Sequence, residues 1–127
     1  MTIEAIGTDV GQLRQRYVRA LDLVERASER AITALVDTRD ARAVARDLVE
    51  SGRPLGDLER VMEPQPLRAN LADALATLER SRHDAQRLLF QVLHSEGQTL
   101  ADIGRSYGIS RQLVSRLVNE ADPEPLG

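Results

Sequence analysis

The stretch TLADIGRSYGISRQLVSRLV, residues 99–118, decides how the chain is read. Thr99 and Asp102 stand at capping-box spacing, which predicts a helix starting beside Thr99. Leu100, Ile103 and Tyr107 then fall on one face of that helix. Gly104 sits where the helix must approach its partner closely, and a missing side chain permits the contact. Gly108, four residues later, supplies the positive φ of a tight turn. Ile109 plugs the corner, and Ser110 is a good N-cap for a second helix. Val114, Leu117 and Val118 form the buried face of that second helix. Arg111, Gln112, Ser115, Arg116 and Asn119 are left pointing outward, with no acid among them before Glu120.

On these residues the chain resembles the helix-turn-helix family of bacterial transcription regulators. The small residue at 104, the glycine at 108 and the apolar residues at 103, 107, 109, 114 and 117 stand at that motif's spacings. The preceding SRHDAQRLLFQVLHSEG looks like the first helix of a tri-helical version, similar to sigma-factor region 4 and resolvase C-terminal domains. The resemblance covers about residues 82–119. It implies sequence-specific binding of double-stranded DNA, with the recognition helix, 110–119, in the major groove and its first residues at the base edges.

The side chains suit that chemistry. Arginine donates a bidentate pair to guanine, and glutamine pairs with adenine in both directions. Arg111, Gln112, Ser115 and Arg116 are the candidates for base or phosphate contact, joined by Ser110 and Asn119. Arg105, Arg82, Arg87 and the first-turn amides near Thr99 are candidates for phosphate, with a merely solvated face the competing reading for Arg82 and Arg87. Two other readings stay open: a helical adaptor whose helix pair contacts a protein of the transcription machinery, and a nucleoid-type DNA binder with little sequence preference.

Charge distribution agrees in direction. The whole chain carries −3, but residues 81–118 hold five arginines against three acids, whereas residues 1–80 hold twelve against fourteen. DNA affinity follows local phosphate contacts rather than whole-chain charge. All 17 basic residues are arginine, which with so much alanine also fits a GC-rich genome.

The remainder of the chain reads as all-α. Leucine, alanine and valine supply the apolar content, and Tyr17, Phe90 and Tyr107 are the only aromatics. Leu13, Tyr17, Ala20, Val24, Ala27, Ala31 and Ala34 predict a helix over about 10–36. Val10, Leu21, Leu23, Ile32 and Leu35 widen its stripe, which suits either a central core helix or a dimer interface. A second helix is expected over 38–51, ended by Gly52. SGRPLGDLERVMEPQP follows as a linker with one helical turn near Leu58. From Pro66 a four-three alternation runs through Leu67, Leu71, Ala74, Leu78, Ser81, Ala85, Leu88 and Val92. It allows one helix or two; the capping-box spacing of Ser81 and Asp84 favours a break near 80–83. The expected organisation is a helical dimerisation region over 1–80, a tri-helical DNA-binding module over 81–119, and a disordered acidic tail over 120–127.

Several classes are set aside. No cysteine is present, so disulfides, thiolate metal sites and a cysteine nucleophile are excluded. His83 and His94 lie three helical turns apart, too far to share a metal ion. No positioned base or phosphate loop points to an enzyme, and no cofactor is expected. No signal peptide or membrane-length apolar run is read, so a cytoplasmic, nucleoid-associated homodimer is the expectation. No small-molecule effector is legible.

Overall fold

The computed structural model describes residues 3–120, with side chains from Val10 onward. Among these the chain is helical throughout, without strands. Helix α1 runs over Ile3–Glu50. A 3-10 turn at Leu55–Asp57 leads into the single turn of α2, Leu58–Val61. Helix α3 spans Pro64–Ser95, α4 Leu100–Tyr107 and α5 Arg111–Asn119. No helix among the described residues is long and apolar enough to cross a membrane.

Two expected breaks are absent, for the same physical reason. Residues 10–50 form part of one helix rather than two, and α3 passes through 80–83 without interruption. A serine or threonine signals a helix start only if the backbone leaves helical geometry there. Where it does not, the hydroxyl bonds back to the carbonyl one turn earlier. Thr38 Oγ1 donates to the Ala34 carbonyl at 2.8 Å, and Ser81 Oγ donates to the Thr77 carbonyl at 2.9 Å. Neither site has a glycine or proline beside it to enforce an ending.

The real ends fall at glycines. At the end of α1, Gly52 takes φ 73° and the Arg53 amide donates back to the Leu48 carbonyl at 2.9 Å. At the end of α3, Gly97 takes φ 105° and the Gln98 amide donates to the Leu93 carbonyl at 3.0 Å. Both satisfy carbonyls that the last turn leaves without helical partners.

The described residues divide into two compact units. One is Val24–Ser81, where the buried residues are mostly alanine: Ala27, Ala31 and Ala34 from α1 and Ala74 from α3, with Leu48 of α1. Small side chains let helix backbones come close. Arg30 pairs with Asp73 at 2.5 Å across α1 and α3, and that hydrogen bond holds the Asp73 carboxyl below its ordinary value. Both partners are well exposed, so the pair adds little stability.

The other unit takes α1 through Leu23 and the residues from Arg82 onward. Its core is Phe90, Ile103, Val114 and Leu117, with Leu89, Leu93, Leu100, Ile109, Leu113 and Val118 packed around it. Phe90 and Tyr107 meet edge to face, with centroids 5.1 Å apart. Tyr107, which its spacing assigns to the buried face, stays 45 % exposed while its ring meets Phe90 of the core. Arg87, a candidate for phosphate or for a solvated face, is neither: it is 2 % exposed within α3.

The back-bonded hydroxyls give a direct test of the uninterrupted helices. Thr38→Ala and Ser81→Ala remove no cap and should each change unfolding free energy by less than about 0.5 kcal/mol. Thr99→Ala removes a true N-cap and should cost about 1 kcal/mol. Urea unfolding followed by circular dichroism compares the three.

Candidate nucleic-acid interface

The region from Gln98 to Glu120 is built around one close approach. A Cβ placed on Gly104 would lie 2.7 Å from the Ile109 carbonyl oxygen and 3.5 Å from the Arg111 amide nitrogen. Real side chains do not sit that near a backbone oxygen, so only glycine lets the turn fold back onto α4. Gly108 ends α4 in the left-handed region at φ 69°, ψ 32°, and its amide donates to the Gly104 carbonyl. The Ile109 amide donates to the same carbonyl at 3.0 Å. The two glycines therefore act together, one for conformation and one for space.

Each of the two helices is capped at its start. Thr99 Oγ1 accepts from the Asp102 amide at 3.1 Å, and Ser110 Oγ accepts from the Leu113 amide at 3.1 Å. The Asp102 carboxyl is held below its ordinary value of 3.8, first by a hydrogen bond from Thr99 and then by one from Arg105. These contacts fix Thr99 and Ser110 as structural caps. Arg105 is exposed, yet its guanidinium is engaged by Asp102 one turn earlier.

The buried face of α5 carries Val114 and Leu117, with half-buried Leu113 and Val118 beside them. Leu113 joins the core although the sequence pattern assigns it no role. Gln91 likewise has no role in the sequence pattern, yet its Nε2 donates to the Val118 carbonyl at 3.1 Å and fastens the end of α5 to α3. No sequence signal marks such a residue, because a half-buried polar side chain on a helix reads as solvated until its partner is in place.

The opposite face presents Arg111, Gln112 and Arg116, all exposed, with Ser115 half-buried between them. Among the described residues neither Arg111 nor Arg116 makes an ion pair, and no acid lies on the face before Glu120, which stands beside His83. Asn119 lies at the far end, its amide donating to the Ser115 carbonyl at 2.8 Å. Leu100 lines a shallow concave surface with Arg111, Gln112, Ser115 and Arg116. A second concavity, lined by Gln98, Thr99, Leu100 and Ala101, places Arg111 beside the first turn of α4. Guanidinium donors and first-turn amides on one side make a surface suited to anionic oxygen atoms.

Elsewhere in the unit, His83 Nε2 stands 3.0 Å from a Glu120 carboxylate oxygen, and His94 Nδ1 lies 3.2 Å from the Gln98 carbonyl. No group of histidines and acids suited to holding a metal ion occurs among the described residues. Apart from Glu120, the expected acidic tail lies outside the described residues.

Gly104→Ala forces backbone to move rather than a flexible side chain, and should destabilise by about 1–3 kcal/mol. Gly108→Ala strains φ instead and should cost about 1 kcal/mol. Chemical unfolding measures both. The Asp102 carboxyl gives a pH test. Its pKa is lowered on folding, so its contribution is complete above its unfolded value and disappears as pH falls through the folded one. Thr99→Ala should move the Asp102 pKa upward in a carbon-detected NMR titration. Comparison with known proteins finds no match for this chain among family models, curated proteins or solved structures.

Proposed function

We propose that the chain is a sequence-specific binder of double-stranded DNA that regulates transcription as a homodimer, with α5 as a recognition helix in the major groove. The observation that carries this reading is the acid-free exposed face of α5. Arg111, Gln112 and Arg116 are held on a short, capped helix, and both arginines are without an ion-pair partner among the described residues. Two guanidinium groups left together in water gain most by meeting phosphate or guanine.

The roles divide by position. Gln112 and Arg116 lie one helical turn apart on the exposed side, which suits reading of base edges. Arg111, in the first turn of α5 and beside the first turn of α4, suits a phosphate. The buried Val114 and Leu117 set the direction in which all three project. Thr99, Ser110 and Arg105 contribute as caps and as the Asp102 partner, so their effect on DNA comes through the shape of the surface. A homodimer doubles the contacts that one small module can make and matches a two-fold operator.

The test is binding to a site selected from a random DNA pool, using singly substituted chains. Gln112→Ala and Arg116→Ala should keep the native circular dichroism spectrum. Each should lose about 1–3 kcal/mol of affinity and relax preference at one operator position. Arg111→Ala should weaken binding similarly on all sequences and flatten the salt dependence. If all three bind DNA as the parent does, α5 does not lie in the groove and the adaptor reading replaces this one.

A further inference from the structure

Within the unit Val24–Ser81, helix α1 buries one stripe and leaves large apolar side chains on the face beside it. The buried stripe includes Ala27, Ala31 and Ala34. One residue further along runs a second three-four repeat: Glu25, Ser28, Ile32, Leu35, Arg39 and Arg42. At its centre Ile32 is 61 % exposed and Leu35 49 % exposed, with the exposed Val36 next to them. Ser28 is half-buried, and the charged residues at either end are exposed. Six positions at steps of three and four have the spacing of a two-helix coiled-coil seam, here apolar at the middle and charged at the ends.

The charges on and beside this seam are arranged in one direction. Residues 22–29 hold three acids and one arginine, whereas residues 39–46 hold three arginines and one acid. Among the described residues neither Glu25 nor Arg42 makes an ion pair. A parallel copy in register would set Glu25 against Glu25 and Arg42 against Arg42, which repels at both ends. An antiparallel copy does the reverse. With a two-fold axis crossing between residues 33 and 34, Ile32 faces Leu35 of the second copy, Ser28 faces Arg39, and Glu25 faces Arg42. Each layer occurs twice. The apolar pairs lie in the middle, a hydroxyl able to accept from a guanidinium comes next, and an opposite-charge pair closes each end.

We infer that α1 pairs with α1 of a second copy in antiparallel register through Glu25, Ser28, Ile32, Leu35, Arg39 and Arg42. The occupant of this face is the chain itself, because the seam's own charge pattern is self-complementary only under that two-fold operation. The inference rests on the homodimer in the reading above and not on its DNA contact.

Light scattering of the full chain without DNA should give twice the 14.1 kDa mass at micromolar concentration. A monomer overturns the inference while leaving DNA binding by a single copy open to its own test. Leu35→Glu, at an exposed position, should give a helical monomer. Glu25→Arg and Arg42→Glu should each weaken the dimer about tenfold, and the two together in one chain should restore it. Singles without effect, or a double no stronger than the singles, overturn the pairing. The chain has no cysteine, so Glu50→Cys provides a unique spin-label site. Antiparallel register sets the two labels about 50 Å apart at 1.5 Å per residue. A separation of about 10 Å, the spacing of parallel neighbouring helices, overturns it.

Discussion

The contact on which the α4–α5 pair depends is the approach of Gly104 to the Ile109 carbonyl. At the distance set by that backbone, any side chain on residue 104 would enter the space of the carbonyl oxygen. The turn can fold back onto α4 only because nothing is there. Once it does, Ile109 reaches the core and Ser110 is placed to start α5. Val114 and Leu117 then turn toward Phe90 and Ile103. The direction of the arginine-bearing face is a consequence of this packing, since a helix whose inner face is fixed has no freedom left for its outer one.

Arginine is the only cationic residue besides histidine, so its placement decides what the protein's positive charge can do. Arg87 is buried within α3, Arg105 is drawn to Asp102, and Arg30 is drawn to Asp73. Arg111 and Arg116 make no ion pair among the described residues. A guanidinium already engaged by a carboxylate must give up that bond to meet phosphate, whereas one in water exchanges only hydration. The proposed DNA-reading face is therefore distinguished by arginines left without an ion pair among the described residues, more than by the number of arginines on it.

The N-terminal helix poses a complementary problem. Its alanine stripe is consumed by packing inside the unit Val24–Ser81, and the neighbouring isoleucine and leucine remain in water. Alanine permits close approach but brings little apolar area, so the larger side chains one position further along hold more of the burial still to be gained. The proposed antiparallel pairing would use that area without disturbing the alanine core. With so few large apolar residues on the seam, its register would be set by the charges at its ends. A long helix can serve two partners because neighbouring faces are repeated along it independently.

Sequence alone determined the helical class, the α4 and α5 boundaries, both of their caps and the glycine at each critical position. These features are local: a cap needs only the amides of its own first turn, and a positive φ needs only its own residue. The outward-facing arginines and glutamine of α5 were legible too, because helical periodicity assigns a face once one side is known to be apolar. Tertiary structure alone decided the rest. Whether Thr38 and Ser81 cap or bond back depended on neighbouring packing holding the helix straight, because the same hydroxyl serves either geometry. Whether Arg87 was solvated or buried, and which carbonyl Gln91 would hold, depended on residues far away in the chain. A side chain's polarity states what it needs, and only the folded chain supplies the partner that meets the need.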